Sequence, residues 1–266
     1  DLVFIDSINL TNSDSVFQNV TNKCHTTLLS MIENEFGRLS SSSHSMIPTI
    51  VDNMVCLEPF FIEKGPNEID CSTKEFIFNS SGVISNTQRI FRAMQLSKPI
   101  LIEGIPGIGK TSLIQAIAKI SGYNLIRINL SEQTDISDLF GADLPIEGKE
   151  GQFSWRDGPF LQALKSGSSW ILLDELNLAS QTVLEGLNAC LDHRGEVFIP
   201  ELGKSFYIEK RNVRIFGCQN PHTHGDDRKG LPRSFINRFT QLFLQPLSLY
   251  DLKYIITSNY SYFGEA

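Results

Sequence analysis

Pro99-Ile100-Leu101-Ile102-Glu103-Gly104-Ile105-Pro106-Gly107-Ile108-Gly109-Lys110-Thr111-Ser112-Leu113-Ile114 is the stretch that decides the fold. Four apolar residues lead into a glycine-rich loop of the form G-x-x-x-x-G-K-[ST]. Leu113, Ile114, Ile117 and Ala118 then recur at helical spacing until Gly122 stops the run. A buried strand, a glycine loop and an apolar-faced helix form the context such a loop needs in order to hold phosphate. Glycines let successive N–H groups turn inward around an anion, and the helix N-terminus adds its positive dipole end. Lys110 brings a full charge toward the β- and γ-phosphates, and the Thr111 hydroxyl is a Mg²⁺ ligand. Gly104, Ile105, Pro106, Gly107, Ile108, Gly109, Lys110, Thr111 and Ser112 are therefore the nucleotide-binding set. A purely structural glycine turn would not require these flanks.

Outward from the loop, strand and helix alternate. Strands are expected at 99–103, 124–129, 170–173, 213–218 and 242–244. Helices are expected at 85–95, 110–121, 160–165 and 183–191, with a helical turn at 233–238. A β-hairpin is expected within 196–208, around Leu202-Gly203-Lys204. A last helix starting at Leu249 is left incomplete. Fully apolar strands alternating with helices imply an α/β fold, a parallel sheet covered on both faces.

Parallel sheets place their chemistry at the carboxyl ends of the strands. Trp170-Ile171-Leu172-Leu173 ends in Asp174-Glu175, so both acids should emerge beside the loop. Asp174 is the natural Mg²⁺ partner, and Glu175 is placed to polarise an attacking water. Val213 to Gln219 ends in Asn220-Pro221, and Asn220 could hold that water or sense the γ-phosphate. Taken alone, Asn before Pro is ordinary turn chemistry. Arg233 and Arg238 lie in a turn that could present a guanidinium to a neighbouring subunit's γ-phosphate, although any single surface Arg is more often paired with an acid.

The 266 residues carry 23 Lys and Arg against 30 Asp and Glu, a net charge of −7. That balance disfavours a dedicated nucleic-acid binder. Locally, 204–238 holds eight Lys or Arg and three acids, a basic segment suited to a neighbour's edge, an acidic partner or solvent. Five scattered Cys without a CxxC suggest neither a disulfide framework nor a zinc ribbon, and fit a reducing compartment. Cys218, His222 and His224 have a loose metal-like spacing but lack a fourth ligand. No apolar run reaches the roughly 18 residues of a membrane span, and no signal peptide is visible. The chain lacks an initiator Met, which points to a processed product or a piece of something longer.

Residues 1–75 read as an N-terminal linker or inter-module segment, 76–248 as the nucleotide-binding core, and 249–266 as the start of a helical lid. Within 1–75, Leu28, Leu29, Ile32 and Phe36 have helical spacing, and Ser40 to Ser43 reads as a linker. No self-contained core is legible there; these residues would pack against another module or against the domain that follows.

The loop, the Leu172-Leu173-Asp174-Glu175 strand end, Asn220 and the Asn237-Arg238-Phe239 turn resemble the AAA+ ATPases. Residues 127–135, 173–194 and 228–235 sharpen the resemblance, to the very large dynein-related AAA+ proteins of ribosome assembly. The resemblance covers about 76–248. It implies a P-loop NTPase three-layer sandwich with β-hairpin inserts, one of several tandem modules in a ring. Its cofactors would be ATP and Mg, held at the nucleotide set, Thr111 and Asp174. Glu175 and Asn220 would be catalytic. Arg238 would act in trans on the next module's ATP, with Arg233 as the fallback finger. The expected inserts fall in 141–158 and 196–208. The implied partners are neighbouring AAA+ modules, pre-60S particles and their assembly factors, in the nucleus, with neither a membrane nor sequence-specific nucleic acid. The segment His222 to Asp227 is more acidic than this resemblance leads one to expect. A GTPase would need N-K-x-D, and the Asn22-Lys23-Cys24-His25 run lacks the Asp. A small-molecule kinase would not need the acidic pair together with a later finger. A module that binds ATP without hydrolysing it stays open, and a pure scaffold is disfavoured by the intact loop.

Overall fold

The computed structural model describes residues 27, 47–68, 76–145, 151–192, 194–209, 212–221 and 230–260. Residues 1–46 and 47–266 form two compact units. The helix expected over 28–36 lies outside the described residues.

Twelve strands and seven α-helices are described. A meander of β1 (Thr49–Val51), β2 (Met54–Leu57) and β3 (Phe60–Glu63) comes first. Then follow α1 (Ser81–Ala93), β4 (Ile100–Glu103), α2 (Lys110–Ser121), β5 (Asn124–Asn129) and α3 (Ile136–Phe140). Next are β6 (Gly141–Pro145), β7 (Phe153–Asp157), α4 (Pro159–Ser166), β8 (Ser169–Asp174) and α5 (Gln181–Leu191). The chain closes with β9 (Glu196–Ile199), β10 (Lys204–Tyr207), β11 (Arg214–Gln219), α6 (Arg233–Ile236), β12 (Thr240–Phe243) and α7 (Leu249–Asn259).

The central sheet has the order β12-β4-β11-β8-β5, and every pairing in it is parallel. Alternate side chains of each strand go to opposite faces, so the sheet feeds two cores. Ile100, Ile102, Trp170, Leu172, Phe216 and Cys218 meet α1 and α2 on one face. Leu101, Ile171, Leu173 and Ile215 meet α4 and α5 on the other. Helices thus cover both faces, as an all-parallel sheet requires.

The expected strands and helices are present, with shifted ends. Phe76 to Phe78, whose sequence fits either a short strand or an extended entry, leads into α1 without forming a strand. The meander β1–β3 was not legible in sequence. Val55, Leu57 and Ile62 are buried with Ile90, Phe91, Ile114 and Ile117. Of the two packings the sequence left open for these residues, they take the one against the domain that follows.

Both expected inserts are antiparallel hairpins, β6–β7 and β9–β10. The first is pinned by two glycines at its base. A Cβ at Gly158 would lie 2.4 Å from the Leu139 carbonyl oxygen, and one at Gly141 2.3 Å from that of Arg156. Among the described residues no helix is long and apolar enough to cross a membrane. Cys190 and Cys218 are buried free thiols, and burial pushes each up to about 12.

Candidate nucleotide site

β4 ends at Glu103, and the chain turns through the glycine loop into α2. Gly107 and Gly109 sit at φ +80° and +87°, left-handed values that an L side chain adopts only with strain. A Cβ at either would meet nothing within 4 Å, so backbone conformation rather than space demands glycine there. The first turn of α2 carries no acid, which leaves its positive dipole end open to an anion.

Lys110, the first residue of α2, is folded back into the loop and is nearly buried. Its Nζ donates to the carbonyls of Gly104 (2.7 Å) and Ile105 (3.2 Å) and to Oδ1 of Asn220 (2.8 Å). Asn220 follows β11, the strand between β4 and β8, so one side chain can reach both neighbouring strand ends. Its Nδ2 lies 3.2 Å from each carboxylate oxygen of Glu175. Glu175 occupies φ +54°, ψ +44°, a left-handed conformation uncommon outside glycine. Its N–H donates to Asp174 Oδ1 at 3.1 Å.

Asp174 is buried at the end of β8. Thr111 Oγ1 donates to its Oδ2 at 2.9 Å. A hydroxyl and a carboxylate converging on one point are hard oxygen donors of the kind Mg²⁺ takes, with water and phosphate completing its shell. Among the described residues no group of three or more His, Cys, Asp and Glu could hold a metal. His222 and His224 lie outside the described residues, so nothing is added to their spacing with Cys218.

One participant was not legible in sequence. Arg127 of β5 places Nε 3.0 Å and Nη2 2.7 Å from Asp174 Oδ2. The available signal was a lone charge in the otherwise apolar run Leu125-Ile126-Arg127-Ile128. Its strand pairs with β8, and Arg127 sits opposite Leu172, two residues before Asp174. A second such pair is Gln219, which donates to Glu103 across the paired ends of β11 and β4. Burial raises the Glu103 carboxyl above its ordinary range, and the Gln219 hydrogen bond opposes this.

The loop, Lys110, Thr111, Asp174, Glu175 and Asn220 thus come together in one cluster, while Ser112 is exposed on the first turn of α2. The two arginines of the finger hypothesis make no side-chain hydrogen bond or ion pair to this cluster among the described residues. Arg238 is held at 2.9 Å by Asp192, the residue that caps the C-terminus of α5. Arg233, in the short helix α6, is exposed, and its guanidinium has no hydrogen-bond or ion-pair partner among the described residues.

Residues 99–239 match the AAA domain, dynein-related subfamily. The chain is 49% identical over 277 aligned residues, 97% of its length, to midasin of Dictyostelium discoideum. It is 53% identical over 183 residues, 69% of its length, to midasin of Giardia intestinalis. It spans only 5% and 4% of those two proteins. An uncharacterised protein of Staphylococcus aureus is 30% identical over 49% of the chain and 49% of its own length. A candidate ATPase from Cytophaga hutchinsonii, known from a crystal structure, superposes with a TM-score of 0.50 at 24% identity. The match covers 65% of this chain and 48% of that one, and it shows the shared fold. The chain therefore belongs to the dynein-related subfamily of AAA domains, and over most of its length it fits an AAA module of midasin.

Proposed function

We propose that this chain is an ATP-binding and ATP-hydrolysing AAA+ module of a ring-shaped remodelling motor, acting in the nucleus to release assembly factors from pre-60S particles. The observation that carries the hydrolytic part is Asn220, whose amide joins Lys110 (2.8 Å) to Glu175 (3.2 Å). One side chain thereby couples the phosphate-binding cation to the base. The ribosomal part rests on the kinship with midasin alone.

In this reading the loop N–H groups and α2 bind the phosphates. Lys110 exchanges its carbonyl partners for phosphate oxygens. Glu175, held by Asn220, accepts a proton from the attacking water as it adds to the γ-phosphorus and the bond to the bridging oxygen breaks, so that ADP leaves with that electron pair and phosphate is formed. Thr111 and Asp174 would hold Mg²⁺, which would supply charge neutralisation at the phosphates. Water must also be oriented in line, which falls to Asn220 and Glu175 together. Arg238 is the finger offered to the next module and Arg233 the alternative. The first has to leave Asp192 to act, whereas the second is already exposed.

The test is ATP binding and steady-state hydrolysis. Lys110→Ala is expected to weaken ATP binding about a hundredfold, as loss of a buried charge contact does. Glu175→Gln is expected to keep binding and to lower turnover by about 10² to 10⁴, the usual contribution of a general base. Binding with no turnover in the unmutated chain, even alongside its neighbouring modules, would replace this reading with that of a regulatory, non-hydrolysing module.

A further inference from the structure

Asp174 Oδ2 accepts three donors: Arg127 Nη2 at 2.7 Å, Thr111 Oγ1 at 2.9 Å and Arg127 Nε at 3.0 Å. Its other oxygen accepts the Glu175 N–H. Oδ2, the oxygen that faces Thr111, is therefore fully engaged, and two of its three donors belong to a cation. Mg²⁺ demands near-octahedral oxygen ligands at about 2.1 Å. An oxygen surrounded by N–H and O–H donors has no lone pair to offer it.

We propose that Arg127 is a resident counter-cation that neutralises Asp174 before nucleotide arrives and competes with Mg²⁺ for the same carboxylate oxygen. This inference rests on the nucleotide-site reading above. The two partners differ in their freedom. The side chain of Asp174 is 9% exposed and that of Arg127 57%. The carboxylate is fixed at the end of a buried strand, and the guanidinium lies on the water side. Strand pairing anchors the backbone of Arg127 opposite Leu172, so release needs only side-chain rotation, with no change in the sheet. The charges explain why a cation is kept there. Asp174 and Glu175 place two negative charges side by side at the end of β8, and Lys110 alone cannot balance both. With Arg127 the cluster has two of each sign, and metal-free nucleotide meets a neutral site.

The consequence is a coupling between metal and nucleotide. Arg127 supports nucleotide in the absence of metal and must be displaced when metal enters, so it lowers the gain in nucleotide affinity that Mg²⁺ provides. A residue that merely held Asp174 in place would have the opposite effect, since its loss would weaken the metal site.

The measurement is calorimetric binding of the non-hydrolysable analogue AMP-PNP, once with Mg²⁺ and once with EDTA. The quantity compared is the ratio of the two affinities. Arg127→Gln is expected to raise that ratio about tenfold, within the ordinary range of linked-site couplings. Arg127→Lys keeps a charge without the two-nitrogen contact, and is expected to raise it by a smaller factor. Should the Gln variant not fold, the Lys variant decides. An unchanged or lowered ratio overturns the proposal. If the unmutated protein binds AMP-PNP and Lys110→Ala does not, while the Arg127 ratio stays flat, this inference alone fails. If the unmutated protein binds AMP-PNP in neither condition, the nucleotide-site reading fails with it.

Discussion

Glu175 shows how the proposed base is held against its own backbone preference. At φ +54° a side chain bearing a Cβ carries strain on the order of 1 kcal/mol, which the surroundings must offset. The Asp174 carboxylate receives its N–H, and Asn220 holds its carboxylate. Glycine would relieve the strain and remove the proposed base. Glu175→Gly is expected to be at least as stable as the parent, by up to about 1 kcal/mol, while losing turnover. Thermal unfolding followed beside hydrolysis checks both halves, and a clear loss of stability would show that the Asn220 contact outweighs the strain. The loop residues, Asp174, Glu175 and Asn220 were legible at this scale, because each ends a run whose period announces a strand or opens a helix. Arg127 and Asp192 were not. Their roles come from neighbours 47 and 46 positions away, Asp174 and Arg238.

At the scale of elements, the start of α1 illustrates the same limit. Sequence periodicity placed that helix from Ser85, and the structure starts it at Ser81. Its N-cap Ser80 makes no side-chain cap to its own helix. The missing acceptor comes from α7. Asp251 Oδ1 receives Ser80 Oγ at 2.6 Å, the Gly82 N–H at 3.0 Å and Ser81 Oγ at 3.1 Å. Its other oxygen closes the capping box of α7 with Ser248. One buried carboxylate thus caps two helices, satisfying donors that would otherwise be orphaned. Donors from Ser248, then Ser80, then Gly82 hold its carboxyl well below the usual range. Because the folded value is depressed, its stabilisation is complete above about pH 4, the unfolded value, and is lost progressively as pH falls below it. Asp251→Asn is expected to cost about 2 kcal/mol at neutral pH. It should also flatten the acid limb of a plot of melting temperature against pH. An unchanged acid limb would remove Asp251 from the account.

At the scale of the whole unit, stability rests on a sheet that is buried on both faces. Trp170 is 1% exposed, stacks at 5.0 Å on Tyr123 and meets Phe216 in a tilted contact at 5.2 Å. It ties β8 to β11 and to the end of α2 in one contact cluster. Trp170→Ala is expected to cost about 3–5 kcal/mol, a large fraction of a typical domain's stability. Denaturant unfolding measures it, and a cost below about 1 kcal/mol would mean that the core closes over the gap.

The sequence by itself determined the α/β class, the phosphate loop and its helix, the acidic strand end and the hairpin within 196–208, whereas the insert at 141–158 was expected only from the family resemblance. Those features are local: periodicity, glycine backbone freedom and strand-end chemistry act within a few residues. Only the tertiary structure decided the rest. It set the strand order that puts Asn220 between Lys110 and Glu175. It folded the meander 49–63 onto the α1 and α2 face, and it brought Arg127 to Asp174 and Asp251 to the start of α1. The physical reason is common to all of these. Each joins groups far apart in the chain, and their proximity is fixed by sheet register and helix packing, which no local pattern encodes.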